Sequence, residues 1–510
     1  MTFQLGDDQL TSEILVELAK NPNPPVSISA GAFERLDRYR GMVDQMLASP
    51  KTVYGINTGF GYLADVKIDD DKLDQLQVNL IRSHACGVGD LVSLEVVRAC
   101  LILRAHTFLI GHSGITRETV NCIMQCLKHD ILPAIPCQGS VGASGDLAPL
   151  AHLAMGLMGE GEAYYGPELM QASEAFKLAG VEVIKPNAKE GLSLINGTHF
   201  MTAIASYAVE EVKTLIYTAD LATGLSLEAI RGTDAAFDER IQNIRGQVGQ
   251  KAAAAHLRQL FPEPSEIMRS HGDCGKVQDP YSFRCAPQVH GASRDALTYT
   301  ENIVNRELNA VTDNPLVFEN GDIISGGNFH GQPIAMAMDF LGIAAAEIGN
   351  ISERRIEKIT NPSLSGGLPA FATNDVGMNS GYMIPHVVAA ALVSENKIYS
   401  HPACVDSIPT SADKEDHVSM GPIAARKARI IAKNVKNVLA IEILAACQGL
   451  DLIGEYKSTK PLQALRENVR KLAPKMDVDR SLHVEIKKIS AWIGDKGPLE
   501  TVENAGVLIH

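Results

Sequence analysis

The chain has 510 residues, 45% of them hydrophobic and 21% charged, which is enough for a large buried core and ordinary for a globular protein. A net charge of −14 excludes the basic footprint of a nucleic-acid binder and a polybasic membrane contact. No apolar run approaches the length that spans a bilayer, and the acidic start MTFQLGDDQL lacks the basic and apolar segments of a secretory signal.

Taken in chain order, the first punctuation is Asn21-Pro22-Asn23-Pro24-Pro25. YGINTGFG follows at residues 54–61. The Tyr54 phenol is a candidate general base, a role that needs donors or positive charge to lower a pKa of ~10. A buried tyrosine bonded to backbone is the plainer alternative. NLIRSHACGVG, residues 79–89, holds the pair Ser83-His84. Cys122 and Cys126, one helical turn apart, belong to a set of nine cysteines without metal-type spacing, read as reduced thiols of a cytoplasmic protein.

GSVGASGDLAPLAH, residues 139–152, is the most informative stretch. Attack of the Gly145 amide nitrogen on the Ala143 carbonyl, with loss of two waters, would close a five-membered ring. The former Ser144 Cβ would then be an exposed methylene, a soft electrophile that no ordinary side chain supplies. Gly145 lacks a Cβ and so permits the approach, Ala143 is small, and Ser144 carries the hydroxyl that leaves. On the tripeptide alone, a glycine-rich turn opening a helix at Asp146 and cradling an anion is the better explanation.

Further along, LINGTHF (194–200) contains Asn196 and His199, and residues 201–222 place Ala208, Val212, Leu215 and Ala219 at helical spacing, with Glu210, Glu211 and Lys213 elsewhere on the cylinder. Residues 262–288 are polar and turn-rich, end in KVQDPYSFRCAPQ and read as a flap over a site. Within it Arg284 offers a rigid fork of donors suited to a carboxylate, beside Gln278 and Tyr281. SGGNFHG (325–331) supplies Phe329, and SIPTSADKEDHVSMG (407–421) carries Glu415. Residues 422–448 form a second helix, with Ile431, Val435, Val438 and Leu439 on one face and Arg426, Arg429, Lys433 and Lys436 on another, read as a solvated face or a contact between subunits. The fold expected is mainly α, with few alternating strand patterns.

These segments, in this order, resemble the aromatic amino-acid ammonia-lyases, whose signature tripeptide matures into a 4-methylidene-imidazol-5-one (MIO) group. The resemblance runs from about residue 10 to about residue 480. It implies a long central helical bundle with a smaller mixed N-terminal region, the electrophile being carried by residues 1–200 and the bundle, flap and C-terminal helices by 201–510. It also implies a homotetramer whose subunits share active sites. By the same likeness Tyr54 is the base, Asn196 and Tyr281 serve the amine and ring formation, Arg284 holds the substrate carboxylate, and Ser83, His84, Gln278 and Phe329 line the pocket. Two positions depart from the family pattern: His199 stands where Gln is usual, and Phe283 where Leu is usual.

The resemblance implies that Glu415 faces the substrate ring, where it would select the substrate. Phenylalanine and tyrosine lyases carry Asn-Gln-Asp where this chain has Lys414-Glu415-Asp416-His417. A carboxylate against a phenyl ring would be left uncompensated, whereas against an imidazole it accepts a ring N–H. The expected reaction is therefore deamination of L-histidine to trans-urocanate and ammonia, with no external cofactor and no metal, since HExxH and CxxC clusters are absent. A tyrosine or phenylalanine lyase, an aminomutase and a non-catalytic scaffold relative remain as alternatives. The fumarase–aspartase signature GSSxMPxKxN is missing, and so are GxGxxG and GKS/T nucleotide motifs.

Overall fold

The structure, a computed structural model, describes residues 2–49, 53, 55–59, 68–272 and 276–509. Tyr54 lies outside them. The protein is mainly α-helical, as expected, and its described strands are only two to four residues long. The helices that matter below are α1 (Leu73–His84), α2 (Leu94–Ile110), α3 (Leu147–Leu157), α4 (Glu190–Ile195), α5 (His199–Ala229), α6 (Ala286–Glu307), α7 (Gln332–Thr360), α8 (Met383–Tyr399) and α9 (Gly421–Leu452).

The chain divides into two compact units, each assembled from separate stretches. The first comprises residues 1–207, 301–339 and 402–426; the second comprises 208–300, 340–401 and 427–510. All described strands belong to the first unit, including the antiparallel sheet Ile131–Pro133, Glu162–Tyr165, Glu168–Gln171. Its central helix is α2, buried continuously from Val96 to Leu109, as a helix apolar on all sides must be. Cys122 and Cys126 are both buried in the helix Arg117–His129, neighbours as their spacing requires.

The second unit is a helical bundle. Its parts of α5, α6, α7 and α9 are bonded to one another through buried polar groups. Glu442 on α9 accepts from Ser226 on α5 and from Ser352 and Arg355 on α7. Asp220 on α5 binds His290 on α6 at 2.5 Å and also His256. Ile356, Ala389, Val438 and Ile441 form an apolar cluster among them.

Two sequence expectations need correction. The helix read over 201–222 extends over His199–Ala229, and Glu210, expected on a polar face, is buried. Five of its hydroxyl residues satisfy themselves within the helix: Thr202, Ser206, Thr214, Thr218 and Thr223 each donate to the carbonyl four residues back. A helix that ties up its polar groups in this way can be buried on every side. Second, no apolar run in the sequence is expected to approach bilayer length, yet α7 is long and apolar enough to cross a membrane by length and composition alone. In its most apolar window 67% is buried within the protein, as in a core helix.

Candidate active site

Three segments of the first unit converge on Ala143-Ser144-Gly145. The tripeptide lies in the turn between Gln138 and α3, and Ala143 packs against Val418 and Met420 of the third segment. Two further bonds stitch them together: Met420 N donates to Val141 O at 2.8 Å and Ser419 Oγ to Gly142 O at 3.0 Å. Gly145 is left-handed, with φ 72°, and a Cβ there would sit 2.1 Å from Gly197 O. Only glycine fits.

The second segment leaves α4 at Asn196 and enters α5 at His199. It runs beside the tripeptide as a parallel bridge, Gly145 to Gly197. Asp146 N donates to Gly197 O at 2.8 Å. In return, Gly197 N and Asn196 Nδ2 both point at Ser144 O, each at 3.4 Å. A carbonyl oxygen facing two donors is where negative charge gathers when a nucleophile adds to a conjugated double bond, so this pair has the layout of an oxyanion hole. Asn196 Oδ1 is buried and has no hydrogen-bond partner among the described residues, an acceptor suited to an ammonium group.

Glu415 arrives with the third segment. Ser144 Oγ donates to Glu415 Oε1 at 2.9 Å, and Thr410 Oγ1 donates to Oε2 at 2.7 Å. The carboxylate is presented by a turn closed at both ends, Thr410 N to Glu415 O at 3.0 Å and Glu415 N to Thr410 O at 3.3 Å. Ser411, Ala412 and Asp413 inside it are all left-handed. Such a run costs about 1 kcal/mol or more per residue, and strain of this kind collects at functional sites.

Among the remaining sequence candidates, His84 ends α1 and its Nδ1 donates to Leu80 O at 2.8 Å, which leaves Nε2 as the acceptor of the neutral ring. Ser83 Oγ donates to the same carbonyl at 2.9 Å. Phe329 is half-buried, and its neighbour His330 stacks on His417 with ring centroids 5.7 Å apart. Gln278, Tyr281 and Arg284 belong to the second unit. Tyr281 opens a single helical turn and is 71% exposed, and the Arg284 guanidinium lies 4.5 Å over its ring. Phe283 is fully buried, as a core-facing position should be.

The sequence marks Asp146 only as a helix start. It is fully buried, and its Oδ2 accepts the Met201 amide at 2.8 Å, capping α5 instead of its own helix. Burial pushes its carboxyl pKa up from 3.8 to about 7, despite the backbone bonds that favour its charge. Arg104 is also fully buried, and it reaches Asn196 O from α2 at 3.0 Å. Nothing in the local sequence marks either residue, since each acts on a partner more than fifty positions away.

The chain is similar to known proteins over nearly its whole length. The aromatic amino acid lyase family matches residues 10–471. A histidine ammonia-lyase of Alkaliphilus oremlandii is 48% identical over 99% of both chains. The crystal structure of histidine ammonia-lyase from Trypanosoma cruzi has a TM-score of 0.92 at 42% identity, covering 99% of this chain and 96% of that one. Tyrosine aminomutase from Streptomyces globisporus has a TM-score of 0.94 at 34% identity, with both chains fully covered. Motif order, fold and full-length similarity coincide, and the chain belongs to the aromatic amino acid lyase family.

Proposed function

We propose that this chain is a carbon–nitrogen lyase that converts L-histidine to trans-urocanate and ammonia. One observation carries the choice of substrate: the Glu415 carboxylate hydrogen-bonds the Ser144 hydroxyl, the atom whose departure would leave the electrophilic methylene. A carboxylate at that spot suits an imidazole N–H and penalises a plain phenyl ring. The relatives named histidine ammonia-lyase support the same reading.

The residues fit an MIO group formed from Ala143, Ser144 and Gly145. Gly145 has the conformation only glycine takes easily, Ser144 O meets two donors, and Asn196 Oδ1 is a buried acceptor without a partner among the described residues. Once formed, the group supplies an electrophile that acidifies the β-hydrogen or makes the amine a better leaving group. The protein's own side chains do the rest. Glu415 and His84 orient the imidazole, and Phe329 with Ser83 walls the pocket. Asn196 Oδ1 receives the substrate ammonium. Arg284 pairs with the α-carboxylate through its planar fork, with Gln278 and Tyr281 beside it. Tyr54 takes the β-proton.

Assembly as a homotetramer belongs to the same proposal. The α8 sequence MIPHVVAAALVSENKIY is strongly apolar, yet only Ala389 and Asn396 are buried, while Ile384, Val387, Val388 and Ile398 face outward. An apolar face of this size marks an interface. The eight cysteines among the described residues are all free, in keeping with a reducing, cytoplasmic setting.

The test is a near-UV assay with L-histidine, L-tyrosine and L-phenylalanine in parallel, together with the intact mass. Urocanate absorbance with histidine alone, a mass two waters short, and loss of both in Ser144→Ala support the proposal. Product from tyrosine or phenylalanine instead would overturn the Glu415 argument while leaving the electrophile standing. A β-amino acid product would indicate an aminomutase.

A further inference from the structure

Arg104 is buried without a carboxylate in contact among the described residues, an expensive place for a guanidinium. Burial lowers its pKa to about 10. Its contacts explain its presence. NH1 donates to Asn196 O at 3.0 Å and to His199 Nδ1 at 2.8 Å, NH2 donates to Ser193 O, and the guanidinium lies 4.4 Å over the Phe108 ring. All three polar contacts fall on α4, its exit and the start of α5.

The same bonds fix the tautomer of His199. An arginine nitrogen can only donate, and NH1 lies nearer Nδ1, at 2.8 Å, than Nε2, at 3.5 Å, so Nδ1 accepts and Nε2 carries the proton, which it donates to Thr107 Oγ1 at 3.1 Å. The His199 ring also covers Gly197, where a Cβ would lie 2.7 Å from Cε1 and 2.8 Å from Nδ1. His199 thus anchors Arg104 and packs on the residue whose N–H faces Ser144 O.

The Asn196 carbonyl and the Gly197 N–H belong to one planar peptide, so holding the first aims the second. A cationic donor on the carbonyl also polarises that peptide and strengthens its N–H as a donor. We propose that Arg104, anchored by neutral His199, is a positioning residue that aims the Gly197 N–H at Ser144 O. It thereby sets the rate of ring closure at the tripeptide and of later turnover. Ring closure forms the Gly145 N–Ala143 C bond and expels the Ala143 oxygen with the Gly145 and Ser144 amide hydrogens as one water. The second water takes the Ser144 hydroxyl and its α-hydrogen. The turnover half of this inference rests on the proposed lyase activity; the ring-closure half is read by mass alone.

Three variants of the full-length protein test it: His199→Gln, His199→Leu and Thr107→Val. Glutamine offers Arg104 an acceptor and Thr107 a donor, so His199→Gln should keep the mass two waters short, with kcat within about twofold of wild type. Leucine fills the space without an acceptor. Folded His199→Leu should show a fraction at full mass and a kcat lower by roughly tenfold or more, with KM within about twofold, the pattern of a misaimed transition-state group. Thr107→Val removes only the anchor of the tautomer and should give a smaller fall in the same direction, so the inference stays testable if His199→Leu fails to fold. Wild-type mass and kcat in folded His199→Leu, with only a lower melting temperature, would overturn the inference, as would a rise in KM at unchanged kcat. Thr107→Val identical to wild type would overturn it too. An inactive wild type with a mass two waters short would sink the substrate reading, leaving the brace to be judged by mass.

Discussion

Glu415 and Gly145 carry the sharpest residue-level predictions. Glu415→Gln keeps the shape of the side chain and removes its charge. A hydrogen bond to a charged group is worth about 1.5–3 kcal/mol, so kcat/KM for histidine should fall by roughly ten- to a hundredfold. The intact mass should stay two waters short, which separates substrate orientation from ring formation. Gly145→Ala should do the opposite: a Cβ 2.1 Å from Gly197 O breaks the bridge, and the protein should keep its full mass. Asp146 bears on pH. Its carboxyl is raised from 3.8 to about 7 by burial, so between those values the folded protein holds a proton that the unfolded chain has released. Its contribution to stability is therefore complete below about pH 4 and is lost as pH rises toward 7. Urea unfolding at pH 5 and pH 7.5 should show a smaller loss of stability with rising pH in Asp146→Asn than in wild type; a larger loss would refute the assignment. His199, pushed well below its ordinary pKa by burial and by Arg104, acts in the other direction, and the variant leaves that contribution in place.

At the scale of elements, the second unit is held by charge buried between helices. Arg355 on α7 and Glu442 on α9 are both fully buried, with Arg355 Nε and NH2 at 2.5 and 2.9 Å from the two carboxylate oxygens. Arg355→Met would leave Glu442 with its serine donors and no cation, at a cost of about 3–5 kcal/mol, read as a lower denaturant midpoint. Replacing both partners, Arg355→Met with Glu442→Leu, should recover most of that loss, because the pair's attraction mainly offsets its own desolvation. The helices themselves were legible in the sequence, but not their ends or their polar faces. Period-based reading assumes that polar residues seek water. In α5 five threonines and serines instead bond back to their own helix, so the buried surface extends around most of the cylinder and the pattern fades. In the basic stripe of α9, Lys433 is exposed, whereas Arg426, Arg429 and Lys436 are half-buried and Arg429 pairs at 2.7 Å with Glu211 of α5.

At the scale of the whole molecule, α8 makes the prediction. A 54.8 kDa chain that leaves so apolar a helix uncovered should not stay monomeric. Light scattering should give a mass about four times that of the chain, and Val387→Asp with Val388→Asp should yield smaller species. A monodisperse wild-type monomer would remove the assembly proposal without touching the chemistry of Ser144 and Glu415.

The sequence by itself determined the reactive tripeptide, because ring closure involves neighbouring residues and needs only their covalent chemistry and the freedom of glycine. It also determined the helical class, through periodic apolar faces, and the matching segments of the family. Only the tertiary structure decided which groups surround the tripeptide. Ser144 meets Glu415 across 271 positions, and Arg104 meets Asn196 across 92. Contacts of that reach are set by packing of the whole unit, which no local pattern of residues encodes. The protonation of Asp146 and the tautomer of His199 follow from burial and from a single cationic donor, and both come into being only when the chain closes around them.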